Sequence, residues 1–388
     1  MPTVETYDTA VIGAGVFGAW TAFSLQQSGK RVALLDAYGA AGSRASSGGE
    51  TRVIRMGYGA DEIYTRWAMR SLTLWQEFFK GTGQPLFQRT GVLWMAHDED
   101  AYVEAIERTL ESCGVEIERL SRASLVERYP QIDFGSVTWA VFEPLSGVLL
   151  ARRAVQALVS EALRGGVSYF NEAVVAPVGL TDNARLEFIN TSGGRRVFAD
   201  SFVFACGPWM AKLFPDLLGD LIHPTRQEVY FFGVPAGDRR FAPPLMPVWL
   251  DFHELIYTIP DIEGRGFKVA IDRHGPECDP DGMERVITAE GLKEVRDYLR
   301  LRVPALKDAP VLETRVCQYE NTSNGDFLID RHPAFANVWL VGGGSGHGFK
   351  HGPAVGEYVS AAVGGDVQPV EPRFALATKQ NVRKRAVF

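Results

Sequence analysis

"YDTAVIGAGVFGAWTAFSLQQSGKRVALLDA", residues 7–37, decides the fold. A short apolar strand turns on Gly13-Ala14-Gly15 and continues through Gly18 into a helix whose apolar residues recur at helical spacing. A second strand, "RVALLD", follows and ends on Asp36. In a G-x-G-x-x-G turn the glycines let the chain tighten and let the backbone approach a pyrophosphate, which then sits on the positive end of the helix. A carboxylate at the tip of the second strand can accept hydrogen bonds from the ribose hydroxyls of an adenosine. A lone glycine pattern is weak evidence, but here strand, turn, helix, strand and acid arrive in order. The stretch reads as a Rossmann-type α/β dinucleotide site held by Gly13, Gly15, Val16, Phe17, Gly18 and Asp36. The competing reading is a βαβ unit whose glycines serve only close packing. The motif does not by itself separate FAD from NAD.

Working outward, "GSRASSGGETRVIRMGYG" is a glycine- and serine-rich loop that runs straight into Arg52 and Arg55. NAD dehydrogenases usually continue here into another βαβ unit. A polar loop can instead lie along an extended FAD, with arginines reaching the flavin end; two surface arginines in a loop are the alternative. At the other end of the chain, "NVWLVGGGSGHGFKHGPAVGEYVSAAVGG" reads as a buried strand, a triple-glycine turn and a helix starting near Gly352 or Pro353. Such a turn offers backbone amides and a helix N-terminus to an anionic group. Two sites of this kind at opposite ends of one chain suit one long cofactor held at both ends, and FAD is long enough. His347 and His351 are spaced i,i+4 but lack the HExxH pattern, so no metal site is expected.

The middle of the chain changes character. Short β-rich segments such as "GVLWMAH", "VYFFGVP" and "IYTIP" mix with helical stretches like "DEDAYVEAIERTLESCG". They predict an α+β substrate domain on a mixed, mainly antiparallel sheet. It is interrupted by "DSFVFACGPWMAKLF", whose buried strand at 202–205 returns to the nucleotide domain. Both domains are therefore expected to be discontinuous: 1–86, 147–216 and 317–388 for the cofactor, 87–146 and 217–316 for the substrate. A chain of 388 residues fits two domains.

Composition narrows the function. With 46% hydrophobic and 22% charged residues the chain is an ordinary globular protein. A net charge of -7 offers no broad attraction to nucleic acid or anionic lipid. The basic C-terminal run "KQNVRKRAVF" reads as a solvated tail. Cys113, Cys206, Cys278 and Cys317 are widely spaced, with no CxxC, which fits reduced thiols in a cytoplasmic protein. No signal peptide or membrane span is read from the sequence. Cys317 itself sits in "RVCQYENTSNGDFLID", a polar segment ending on an apolar run, where core packing is the default reading.

Taken together, "VIGAGVFG", "GGETRVIR", "GVLLARRAVQAL", "CQYENTSNGDFLIDRHP" and "GSGHGFKHGPAVGE" resemble the monomeric sarcosine oxidase and N-methyltryptophan oxidase family of FAD-dependent amine oxidases, within the D-amino-acid-oxidase-like flavoproteins. The resemblance runs nearly the full length. It implies FAD joined through its 8α-methyl group to Cys317, and a substrate carboxylate held by Arg55 and Lys350. It also implies Arg52 against the flavin and Lys268 assisting the reaction with oxygen. Tyr257 and Tyr319 match aromatic residues near the bound amine. Ser47, Thr51, Gly344, Gly346, His347, Gly348, Phe349 and Lys350 join the cofactor residues.

Two departures stand out. Ser47-Gly48 replaces a pair of histidines, and Asp272 stands where the family has a substrate-site histidine. The second change puts an anion near the amine and favours a larger, more polar or cationic substituent over sarcosine. The implied function is oxidation of the C–N bond of a secondary or tertiary amino acid to an imine, with hydrogen peroxide formed from O2. The partners are then a small amine and O2, the assembly a monomer or small homo-oligomer. The alternatives are a dehydrogenase or cyclic-imine desaturase of the same fold using another acceptor, and a flavin-binding module without turnover.

Overall fold

The computed structural model describes residues 5–177, 184–365 and 371–382. The opening stretch forms the elements its pattern predicts: strand Thr6–Ile12, helix Val16–Gln27 and strand Val32–Leu35. The apolar strand is buried on both faces, as a central parallel strand must be. It pairs in parallel with Val32–Leu35 on one side and with Arg196–Phe204 on the other. The seven-stranded sheet runs, in spatial order, Leu328–Arg331, Val338–Gly342, Arg196–Phe204, Thr6–Ile12, Val32–Leu35 and Ser168–Phe170, with Phe188–Asn190 paired beside Arg196–Phe204. Strands more than 300 residues apart in sequence thus lie in one sheet, with the first and last glycine-rich turns at its strand ends.

Close approach of two helices brings those turns together. Helix Gly352–Gly364 packs on helix Val16–Gln27, and a Cβ at Gly356 would lie 2.7 Å from the Trp20 backbone. Only glycine lets the axes come this near. Trp20, Trp75, Phe78 and Phe79 fill the space behind with edge-on ring contacts.

A second, eight-stranded sheet is antiparallel except for the pairing of Val248–Asp251 with Val92–Ala96. This is the mixed, mainly antiparallel sheet expected. Its edge strand, Val311–Thr322, pairs with Ile222–Phe232 over most of its length and lies against the nucleotide-binding loops, so it forms a wall between the two sheets. A small third sheet joins Arg52–Ile54, Gly147–Leu149 and Phe87–Arg89.

No helix among the described residues is long and apolar enough to cross a membrane. The basic C-terminal run departs from expectation at its first residue alone among those described: Lys379 is buried and donates to the Arg373 carbonyl at 2.9 Å, where the chain folds over Asp326 and Asn324, while Gln380, Asn381 and Val382 are exposed. Residues 383–388 lie outside the described residues.

Candidate active site

Two cavities meet along the wall strand. The larger, about 370 Å³, is lined by Gly13, Gly15, Val16, Phe17 and Asp36 at one end, by Ser46, Ser47 and Arg52 in the middle, and by Cys317, Tyr319, Gly344, Gly346, Gly348 and Phe349 at the other. Gly13 has φ +105°, and a Cβ there would meet the Ala205 carbonyl at 2.3 Å. Gly18 does not line the cleft. Its role is approach: a Cβ would lie 1.8 Å from the Gly13 carbonyl, so the helix could not sit against the turn.

The helix start carries no acidic residue in its first turn and no side-chain cap from Gly15. Its positive end therefore faces the cleft, with Ser47 Oγ accepting from the Val16 amide at 3.0 Å. Asp36 accepts from the amides of Ala14 and Tyr38, both at 2.7 Å, while burial pushes its carboxyl above the usual range. An unneutralised helix N-terminus beside a fixed carboxylate is a donor and acceptor set that fits the pyrophosphate and ribose of FAD.

The smaller cavity, about 60 Å³, is lined by Arg52, Arg55, Gln227, Glu228, Tyr257, Asp272, Cys317, Tyr319, Gly346, His347, Phe349 and Lys350. Arg55 is 3% exposed and lies between the rings of Tyr58 and Trp94, 4.5 and 4.7 Å from their centroids. It donates to the Gly57 carbonyl. Lys350 donates to Tyr58 Oη and to the His347 carbonyl, both at 2.9 Å. Burial, then the nearby Arg55, pulls its ammonium well below the ordinary lysine range. A substrate carboxylate arriving here would relieve that electrostatic cost.

Arg52 sits at the junction. It donates to the carbonyls of Thr51 and Ser46 at 2.8 Å and approaches Cys317 Sγ at 3.5 Å. Burial opposes its charge, but Cys317, Tyr257 and Tyr319 hold its pKa above the ordinary value. Lys268 lies behind the wall, with Nζ donating to the Thr51 carbonyl at 3.1 Å and 5.3 Å from the Tyr257 ring. Burial and Arg52 push its ammonium far down. Thr51 lines neither cavity; its carbonyl couples Arg52 to Lys268.

His347 faces the smaller cavity and stacks on Phe327. Among the described residues no cluster could hold a metal ion.

Several residues escaped the sequence reading. Glu143 is fully buried and takes hydrogen bonds from the amides of Met56 and Gly57, from Trp94 Nε1 and from Ser146 Oγ. It thereby fixes the loop that carries Arg55. Glu320 lines the larger cavity, and burial pushes its carboxyl up to about 7. Only its place one residue beyond Tyr319 could have drawn attention to it. Trp209 and Lys212, joined through Asp281 at the Asp36 end of the cleft, carried no pattern at all.

Comparison with known proteins identifies the family. The family model described as FAD dependent oxidoreductase matches residues 8–362. The chain is 30% identical to the monomeric sarcosine oxidase of Bacillus sp. (strain B-0618), covering 91% of each chain. It is 27% identical to the N-methyl-L-tryptophan oxidase of Yersinia pestis (strain Pestoides F), covering 96% of this chain and 99% of that one. Among solved structures, the L-proline dehydrogenase from P. horikoshii superposes with a TM-score of 0.83 at 25% identity, covering 98% of this chain and all of the other. The chain belongs to the FAD-dependent oxidoreductase family.

Proposed function

We propose that this FAD-dependent oxidoreductase oxidises the C–N bond of a secondary or tertiary amino acid, such as an N-methyl or other N-alkyl amino acid, to an imine that water then hydrolyses. The observation that carries the reading is the pair of buried basic side chains, Arg55 and Lys350, in a small cavity that shares walls with the nucleotide cleft. A planar guanidinium and a point charge suit a carboxylate. The names of the oxidase relatives support an amine. FAD, when bound, supplies the two-electron acceptor, and dioxygen carries the electrons away as hydrogen peroxide.

In this reading Arg55 and Lys350 bind the carboxylate and so orient the amine. Tyr257, Tyr319 and Phe349 wall the cavity and limit water. Arg52 and Lys268 place positive charge where reduction and the oxygen reaction develop negative charge. Cys317 Sγ, on the walls of both cavities and 3.5 Å from Arg52 Nη2, is the attachment point for a covalent cofactor. The segments 1–86, 147–216 and 317–388 form the cofactor domain, and 87–146 with 217–316 the substrate domain.

The test is an anaerobic panel of sarcosine, N-methyl-L-tryptophan, N-carboxymethyl amino acids and L-proline. At least one of them is expected to bleach the flavin, with one peroxide per oxygen consumed on re-aeration. An intact flavin that none of them reduces would overturn the reading. Likeness to a dehydrogenase supports a second reading, in which a carrier other than oxygen takes the electrons. Fast bleaching with negligible oxygen uptake would select it. Acid precipitation tests the tether: yellow colour stays with the pellet if Cys317 holds the flavin and leaves with the supernatant if it does not.

A further inference from the structure

The chain shows how it treats a buried carboxylate that has only a structural task. Glu143 is met by four donors, and Asp251 pairs with Arg302 Nε at 2.9 Å, both side chains being 1% exposed. Asp272 is treated differently. It is 7% exposed, and its carboxylate has one hydrogen bond among the described residues, from Tyr319 Oη to Oδ1 at 3.1 Å. Oδ2 has no donor there, and the residue lines the smaller cavity.

The backbone holds it in place. Asp272 follows strand Phe267–Ile271, and its amide donates at 2.7 Å to the carbonyl of Leu255, a residue with φ +53°. Among the described residues no cation forms an ion pair with it, although Arg55, Lys350 and Lys268 lie within electrostatic reach. An anion left with one oxygen unpaired inside a protein is costly unless something else meets it.

We propose that Asp272 accepts the proton of the substrate's ammonium, so that the amine meets the cofactor as the free base. The inference rests on the function proposed above and assigns the site a proton acceptor. An amino acid bound through its carboxylate to Arg55 and Lys350 brings its ammonium into the cavity that Asp272 lines. The N–H bond breaks, its proton goes to Oδ2 and its electron pair stays on nitrogen. The free lone pair can then form the C=N bond as the hydrogen of the adjacent C–H departs with its bonding pair, the two-electron acceptor being the FAD that the larger cavity would hold. After release of the iminium product, Asp272 returns its proton to solvent.

The groups facing Asp272 allow this. They are Tyr319 from strand Val311–Thr322, Tyr257 from Ile256–Ile259, Lys268 from Phe267–Ile271, Arg55 beyond Arg52–Ile54, and Lys350 in the turn Phe349–His351. Burial raises the Asp272 carboxyl against the pull of Arg55, Tyr319, Lys350 and Lys268, to about 6. It is therefore ionised at neutral pH and still more basic than an ordinary aspartate.

The experiment compares the holoenzyme with Asp272→Asn, using whichever of sarcosine, N-methyl-L-tryptophan or L-proline bleaches the wild-type flavin fastest. The anaerobic reduction rate divided by Kd is measured from pH 5.5 to 9.5. Wild type is expected to rise through about pH 6 and level off. The variant is expected to lose that limb, to fall roughly 100-fold at pH 7, and to climb about tenfold per pH unit towards the amine's own pKa. Spectroscopic Kd for methylthioacetate, a carboxylate without an amine, reports the anchor and the fold and should stay within about twofold.

Three outcomes would overturn the assignment: a variant that keeps the wild-type profile, one slowed by the same factor at every pH, and one that no longer binds methylthioacetate. If none of the amines bleaches the wild type, the proposed function itself falls and takes this assignment with it.

Discussion

The two cavities share Arg52, Cys317, Tyr319, Gly346 and Phe349, yet they are built in opposite ways. The nucleotide cleft is made at its Asp36 end from backbone: amides, a helix end, glycines that let main chains touch, and one carboxylate whose partners lie close in sequence or in the adjoining turn. The smaller cavity is made from side chains drawn from segments hundreds of residues apart, and among the described residues Arg52, Arg55, Asp272 and Lys350 have no ion-pair partner. Backbone sites tolerate little change in shape. Side-chain sites tolerate shape and respond to charge.

That contrast can be broken most severely at Gly18. Gly18→Val puts carbon where the Gly13 carbonyl lies, so the variant is expected to lose essentially all flavin, measured as flavin absorbance per protein after purification. A normal flavin content would show that the turn is less rigid than its contacts imply. Next comes Lys268→Met, which removes a buried basic side chain behind Arg52. Reoxidation of the reduced enzyme by O2 is expected to slow by about 10²–10³, with anaerobic flavin reduction changed far less. Equal slowing of both half-reactions would place Lys268 in general support of the fold.

Arg55→Met sharpens the other side of the comparison. Methylthioacetate binding is expected to weaken by about 10–100-fold, the worth of hydrogen bonds to a charged group, while flavin content stays at the wild-type level. Loss of flavin in this variant would mean that the two cavities are not energetically separate.

The smallest effect is expected at Glu320. Its folded pKa of about 7 lies above the ordinary glutamate value, so the folded state binds more protons than the unfolded state between those two values. Its contribution to stability therefore falls as pH rises through that window. Glu320→Gln should be more stable than wild type at pH 8 by roughly 1–3 kcal/mol, with the difference shrinking towards pH 5. Urea unfolding of the holoprotein at both pH values checks this, and a difference independent of pH would remove ionisation as the cause.

How much of this could be read beforehand follows the same division. Gly13, Gly15 and Asp36 were legible because a βαβ turn is local, and its physics lies within about thirty residues. The mainly antiparallel character of the second sheet was legible from its short β-rich segments. The parallel pairing of Val248–Asp251 with Val92–Ala96 was not, since nothing local marks a contact between segments so far apart. Arg55 stood out with Arg52 at the end of the glycine-rich loop, but its carboxylate role, like Lys268, Asp272 and Lys350, came from resemblance and not from spacing. No periodicity announces that they face one another. Glu143 and Glu320 left no trace because an isolated glutamate in a sequence carries no mark of its burial.

The wall strand, Val311–Thr322, has one more consequence. Neighbouring side chains on a strand point to opposite faces. Cys317 and Tyr319 reach the junction of both chambers, whereas Gln318 and Glu320 touch only the larger one. Both faces of the ribbon thus border the larger chamber, and one of them also borders the smaller. Changes at Gln318 or Glu320 can revise the larger chamber alone, whereas changes at Cys317 or Tyr319 are felt in both. A single inserted or deleted letter upstream in the strand would swap the two alternating sets, so the smaller chamber depends on the strand's register as much as on its residues.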